Sequence, residues 1–436
     1  MTLSVYLSAC PHCDALHRVH RLPFGQSALC SRCGTPLYHS RMMGVDQPLA
    51  FALTGLLLFI LANSFPLLAL ELSGRVQEST LLDGITALFD AGMWLLALLV
   101  CCTSLLFPLL ILSSMVYLLL PLKLCRPPWP CTTRVLRALT TLTPWGMTGV
   151  YALGVMVAIV KLRDMATVTP GIALYAFFGL LLTTIAAQLV FDAHIRRQIF
   201  MAVAASHPLP TPAAKSAQES PPTRLQPTAL RTGLLRCHTC TLLVHRPDPP
   251  TETTICPRCG DTLHPRKPAS LTNTWALLLA AALFYIPANL LPVMTVIRFG
   301  QGEPDTILSG IQHLIQSGLW PLALLIFFAS IVVPLMKLCI LTFLLLSVHY
   351  HMQWRPRERT TLYRVIELFG HWSMVDIFLI SILTALVQLG SLTTVEPGNG
   401  ATFFGMVVVL TMLATKHFDP RLIWDALEKT DGPTSR

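Results

Sequence analysis

Trp320–Leu346 reads WPLALLIFFASIVVPLMKLCILTFLLL, an apolar run of 27 residues with one charge in it, Lys337. About 20 apolar residues, rising about 1.5 Å each, cross a hydrocarbon core of about 30 Å. The run therefore predicts a membrane-spanning helix. A lysine near the centre of such a helix costs roughly 2.5–3.5 kcal/mol on insertion scales, and it persists where it is paired or faces a wet cavity. A partner stands in another apolar run: Asp376 is the one carboxylate or ammonium between Glu367 and Glu396. Ser330 lies seven residues before Lys337 on the same helix face, and Ser373 three before Asp376. Thr411 falls at comparable depth in the last apolar run. Ser330, Lys337, Ser373, Asp376 and Thr411 are thus expected to form a polar cluster among three helices, with Lys337 and Asp376 as a pair. Such a pair can simply fix helix packing, for intramembrane polar contacts often contribute only a fraction of a kcal/mol to about 2 kcal/mol. The stronger reading is a protonation or coupling site, because charges inside membranes usually mark ion or proton pathways.

The composition agrees with a membrane protein: of 436 residues 53% are hydrophobic and 12% charged, and the mean hydropathy is +0.61. Cys10 opens a polar segment too early for a cleavable signal core. The net charge of +9 fits Lys and Arg retained on the cytoplasmic side of a membrane, and no nucleic-acid partner is expected. There is no GxxxxGK[ST] loop, and no enzyme activity is expected.

Eight of the 13 cysteines fall in four C-x-x-C pairs. CPHC–x16–CSRC supplies Cys10, Cys13, Cys30 and Cys33, and CHTC–x15–CPRC supplies Cys237, Cys240, Cys256 and Cys259. Two knuckles joined by a short insert bring four thiolates to the corners of a tetrahedron, the arrangement of a structural zinc ribbon. Two zinc ions are expected, against a redox switch, a rubredoxin-like iron centre or a docking module. His12, His17 and His20 are weaker alternative ligands. Cys101, Cys102 and Cys339 read as small hydrophobes.

Leu49–Leu70, Ala91–Leu122, Pro144–Val160 and Met165–Phe191 predict four spans. Pro268–Ile297, Trp320–Leu346, a run after His371 and one ending at Thr415 predict four more. Asn63 stands before Pro66, and Asn289 before Pro292, where a side-chain amide can satisfy a carbonyl freed by proline. Thr80–Trp94 and Thr306–Trp320 predict short amphipathic helices in the interface. The matches run at an offset of 226 or 227: Trp94 with Trp320, Pro108 with Pro334, Pro170-Gly171 with Pro397-Gly398, Asp192 with Asp419. The expected architecture is an α-helical membrane protein of two tandem repeats with eight spans in all, each repeat a small β zinc ribbon followed by a four-helix transmembrane unit. Its parts are ribbon 1 (1–46), the first unit (47–200), a Pro-rich linker (201–235), ribbon 2 (236–267), the second unit (268–420) and a tail (421–436). Basic loops after the second and sixth spans place both termini and both ribbons in the cytoplasm. Lys337 corresponds to Ile111 and Asp376 to Gly149, so only the second unit buries charge. Ribbon 2, next to that unit in sequence, is expected to sit against it and to matter at least as much as ribbon 1.

Two such ribbons, each leading into an Ala-Asn-x-x-Pro span (Ala62, Asn63, Pro66; Ala288, Asn289, Pro292), with Trp372–Phe378 (WSMVDIF), resemble the paraquat-inducible protein A family. The resemblance covers nearly the whole chain. It implies a bacterial inner-membrane protein that works with a periplasmic MCE-domain partner to move phospholipid between inner and outer membranes. Lys337 and Asp376 would couple that movement to protons. A small-molecule secondary transporter, or a mere membrane anchor for a periplasmic partner, are the rival readings. Asp14 after the first knuckle, where the family has glycine, and the Pro-rich linker depart from the pattern.

Overall fold

A computed structural model describes residues 6–19, 26–39, 44–72, 75–163, 167–191, 195, 198–200, 227–246, 254–298, 301–370, 372–387 and 393–428. The greater part of the predicted linker, 201–226, Asp192 and the tail beyond 428 lie outside them.

Each ribbon is a pair of antiparallel hairpins with one C-x-x-C in each turn. In ribbon 1 these are β1 (Tyr6–Ala9) with β2 (Leu16–Val19), and β3 (Ser27–Leu29) with β4 (Pro36–His39). The residue after each second cysteine is left-handed, and its N–H donates to the first cysteine's carbonyl at 2.8–3.1 Å. Glycine serves at Gly34 and Gly260, while Asp14 (φ 60°) and Thr241 (φ 58°) carry the strain themselves.

The first transmembrane unit opens with α1 (Asp46–Ser64), which stops before Pro66, and the chain turns into an antiparallel sheet of β5 (Leu68–Leu72) and β6 (Arg75–Ser79). Leu68–Leu70 is therefore strand rather than the end of a span, because proline halts the helix and the residues after it alternate. Asn63 donates to Phe59 O at 2.7 Å and Asn289 to Tyr285 O at 2.9 Å, doubling a bond within the last turn instead of meeting the carbonyl that proline frees. A capping box at Thr80 and Asp83 starts the interfacial helix α2 (Leu81–Asp90). α3 (Trp94–Val100) runs through a π-helical stretch, Cys101–Leu106, into α4 (Phe107–Lys123). The widened turn lies just before Pro108, whose ring would clash in an unbroken α-helix. The basic segment beyond is an amphipathic helix, α5 (Thr132–Leu142), not a loop, and α6 (Thr148–Arg163), β7 (Thr167–Pro170) and α7 (Ile172–Val190) complete the unit. β7 adds to β5, giving a three-stranded sheet on the side away from the ribbons.

The second repeat follows the same plan. Ribbon 2 pairs β8 (Leu234–Arg236) with β9 (Leu243–His245) and β10 (Thr254–Ile255) with β11 (Thr262–Leu263). Its unit comprises α8 (Ser270–Leu290), the hairpin β12 (Met294–Arg298) and β13 (Gln301–Asp305), then α9 (Ile307–Gln316). α10 (Trp320–Phe327) continues through a second π stretch, Phe328–Val332, into α11 (Val333–His349). α12 (Pro356–Phe369), α13 (Val375–Leu386), β14 (Thr393–Pro397) and α14 (Asn399–His417) close it. Among the described residues eight segments are long and apolar enough to cross a membrane, so the chain is a multi-pass membrane protein. The tail holds one more helix, α15 (Leu422–Glu428).

The two units meet along α6 and α13. Tyr151 and Phe378, equivalent positions in the repeat, stack edge to face at 5.1 Å. Every residue from Val375 to Leu386 is buried, Asp376, Ser381 and Thr384 among them. α2 leans across onto α13, where a methyl built on Gly84 would lie 2.7 Å from Ser381 Oγ. Its counterpart α9 lacks that neighbour: nothing lies within 4 Å of such a methyl on Gly310.

The ribbons dock crosswise. Ribbon 1 packs on the second unit, its cysteines sharing a cluster with Leu341, Leu345, Ile366 and Trp424. Ribbon 2 packs on the first unit, Arg137 of α5 donating to Cys259 O at 3.2 Å and lying 3.5 Å from Asp261. Ribbon 2 also touches the charge-bearing half, as expected from chain order, Lys267 donating to Lys416 O at 2.6 Å and Phe418 O at 3.2 Å at the end of α14, so it bridges both units. The end of the linker and ribbon 2 both bind ribbon 1: Leu16 N donates to Pro227 O, Ala229 N to Asp14 O, and Arg266 clamps Asp14 (3.1 Å) and Asp425 (2.6 Å).

Candidate intramembrane polar site and metal centres

Four of the five cluster residues come together, but not as an ion pair. Lys337, wholly buried on α11, donates to Gly370 O at 2.7 Å and to Ser373 Oγ at 3.2 Å. Gly370 ends α12, and the lysine reaches its free carbonyl. Asp376, in the first turn of α13, accepts from Ser330 Oγ, and its other oxygen, Oδ1, is buried without a hydrogen-bond partner among the described residues. No ion pair joins Lys337 to Asp376 among the described residues. Each charge faces a serine on a neighbouring element, a geometry that residue depth along the chain could not resolve. Thr411 is buried on α14 but donates to Val408 O of its own helix, outside both contacts.

The π stretch explains Ser330. Its hydroxyl oxygen lies 2.7 Å from Ile326 O, as that of Ser104 lies 2.6 Å from Val100 O in the first repeat, and the single Ser330 hydroxyl proton serves either that carbonyl or Asp376 at one time. Both serines serve a widened turn; only Ser330 also reaches a carboxylate. Sequence reading also stopped short of Lys161, one residue beyond the expected end of the third span, whose charge acts on Asp376 from α6. The apolar run before it, rather than the lysine, had set that boundary.

The metal residues gather as expected. Cys10, Cys13, Cys30 and Cys33 form one buried set and Cys237, Cys240, Cys256 and Cys259 another, the sulfurs of each all within 4.8 Å of one another. A tetrahedral zinc–thiolate site needs sulfurs about 3.8 Å apart around bonds of about 2.3 Å, so both sets fit a metal ion of that size. His17 Nε2 lies 3.2 Å from Cys30 Sγ, beside the set rather than in it. His12 turns away: Nδ1 meets Thr35 Oγ1 at 3.0 Å, and burial with nearby arginines lowers its pKa to about 4, so it is neutral at physiological pH.

The family model for paraquat-inducible protein A matches twice, over residues 45–199 and 271–428. The chain belongs to the paraquat-inducible protein A family. It is 33% identical over 427 residues to the intermembrane transport protein PqiA of Escherichia coli (strain K12), covering 98% of this chain and 97% of that one. It is 32% identical over 421 residues to the lipophilic envelope-spanning tunnel protein A of the same organism, covering 96% and 91%. A probable intermembrane transport protein of Haemophilus influenzae is 30% identical over 422 residues, covering 96% of each. No solved structure gives a significant match. The paired family matches coincide with the two transmembrane units, and both leave the four-cysteine sets outside. Two of these relatives are named for intermembrane transport and one as an envelope-spanning tunnel.

Proposed function

We propose that the chain is the inner-membrane subunit of a phospholipid transport system, working with a periplasmic MCE-domain protein to move lipid between the two membranes. The ribbons and termini face the cytoplasm, and the two three-stranded sheets, with α2 and α9, face the periplasm and the partner. Supporting this orientation are the basic residues on α5 and α12 on the ribbon side and thiolate ligand sets suited to a reducing compartment.

The second unit performs the coupling. The observation that carries this is the pair of separately held charges: Lys337 on Gly370 and Ser373, Asp376 on Ser330 with one oxygen unmatched. A buried group in that state is costly unless something else visits it. Asp376 takes up and releases a proton as α11 and α13 shift, and Lys337 exchanges Ser373 for the carboxylate in the alternative arrangement. Cys10, Cys13, Cys30 and Cys33 hold one zinc ion and Cys237, Cys240, Cys256 and Cys259 a second, which tie each ribbon's hairpins together and carry no transport chemistry.

The test is phospholipid exchange between vesicles bearing the chain with its periplasmic partner. Asp376→Asn and Lys337→Ala are expected to insert normally and to lose exchange by at least about tenfold, the change that about 1.4 kcal/mol makes. Wild-type exchange in both would rule the reading out. Purified protein should contain two equivalents of zinc, and Cys256→Ser should lower its abundance, because metal binding and folding are coupled.

A further inference from the structure

The crosswise docking gives the ribbons unequal work. In ribbon 1 a line of contacts leaves the metal set and enters the second unit. Cys33 Sγ lies 3.1 Å from Thr35 Oγ1, which lies 3.0 Å from His12 Nδ1. His12 packs its ring edge-on to Tyr363 at 6.0 Å, and its Nε2 lies 4.0 Å from Glu367 Oε2, beyond hydrogen-bond reach. Both partners belong to α12. Three residues after Glu367 comes Gly370, whose carbonyl receives Lys337 at 2.7 Å. Arg32 adds a second grip, its guanidinium 4.6 Å over Trp424, which in turn donates to Thr360 of α12 at 3.0 Å. Ribbon 2 has a different address. It holds α5 through Arg137 and reaches the second unit at the end of α14, where Lys267 donates to Lys416 O at 2.6 Å; the first unit carries Ile111 where the second carries Lys337.

We infer that ribbon 1, through His12, is the positioning element of the Lys337 cage. A metal ion on its four cysteines fixes Cys33 Sγ, the origin of the line, and thereby the seat of His12 against α12 and the place of the Gly370 carbonyl. Ribbon 2 has no such effect, although it immediately precedes the second unit in the chain. His12 is a positioning residue: it touches neither charge. The inference rests on the reading of Lys337 as a working group only for its consequence in transport; the placement itself is measurable without transport.

The experiment uses the full chain in detergent, treated with acetic anhydride, a small reagent that acetylates amines, and followed by mass spectrometry. Lys123, half-exposed on the ribbon side, gives the internal reference rate. In the wild type Lys337 is expected to be protected. His12→Ala leaves the four thiolates in place and is expected to raise acetylation of Lys337 by about tenfold, corresponding to about 1.4 kcal/mol in a local opening equilibrium. Arg137→Ala, which removes ribbon 2's side-chain hold on α5 instead, is expected to leave Lys337 at the wild-type rate. Unfolding temperatures of both variants separate local release from general loosening. Should His12→Ala not accumulate, Glu367→Gln alters the same contact from the α12 side and carries the comparison. Equal acetylation in wild type and the His12 or Glu367 variant overturns the inference, as does an equal rise in Arg137→Ala. Lys337→Ala with normal lipid exchange would instead defeat the transport reading while leaving the placement result standing.

Discussion

Asp14 shows what a single departure from a family pattern can mean. In the sequence it is a left-handed position without its glycine; in the fold its carboxylate accepts from Leu230 N at 3.3 Å and from Arg266 at 3.1 Å. Removing one partner of a partly buried charge cluster leaves the others less well paired. Arg266→Ala, which uncovers both Asp14 and Asp425, is therefore expected to lower the unfolding temperature of the detergent-solubilised chain, and an unchanged temperature would contradict the clamp. Asp419 gives the same argument a pH dependence. Burial alone would raise its carboxyl, but Arg421 and the backbone N–H groups of Lys267 and Arg421 outweigh it and hold the pKa at about 2. A depressed carboxyl stabilises the fold fully above its unfolded pKa of about 3.9 and ceases to do so as pH falls through about 2. Asp419→Asn should thus cost about 2–3 kcal/mol at neutral pH, a gap from wild type that closes between pH 4 and pH 2. A gap independent of pH would show that Asp419 acts by shape alone. At this scale the cysteines were legible because their spacing is local. The partners of Lys337 and Asp376 were not, because a π-helical turn and the position of Gly370 decide them.

Elements were legible where composition is extreme and blurred where apolar residues serve two purposes. The apolar runs marked the spans, yet their ends at Leu68 and Met294 are strands, since an apolar stretch after a proline fits a sheet as well as a helix. Gly171 and Gly398 mark the place where the last helix of each unit begins under that sheet: a methyl on Gly398 would lie 2.3 Å from Pro292 O, a backbone atom that cannot swing aside. Gly398→Ala is accordingly expected to destabilise by about 1–3 kcal/mol. Gly310→Ala, in open space on a helix, should be neutral or gain up to about 1 kcal/mol. Thermal unfolding of the two variants side by side checks both signs, and equal losses would mean that α9 is packed as tightly as α2.

Across the whole molecule the duplication was plain in the sequence, and the way the copies embrace was not. Crosswise docking needs only a connection long enough to let ribbon 2 reach the first unit, and no local pattern encodes which unit each ribbon chooses. The amphipathic helices at Thr80–Trp94 and Thr306–Trp320 were legible in kind, and both lie on the side opposite the ribbons. A cysteine placed at Asp90, which is exposed at the end of α2, should react with a membrane-impermeant thiol reagent added to cells whose inner membrane is intact. Reaction only after that membrane is opened would reverse the topology. The account as a whole turns on whether the buried charges of the second unit do work or merely pack. Lipid exchange by the double variant Lys337→Met, Asp376→Leu decides this, because apolar side chains of similar volume can replace buried charges without loss of folding. A stable, inserted and inactive double variant is the predicted result; wild-type exchange by it would reduce Lys337 and Asp376 to packing residues.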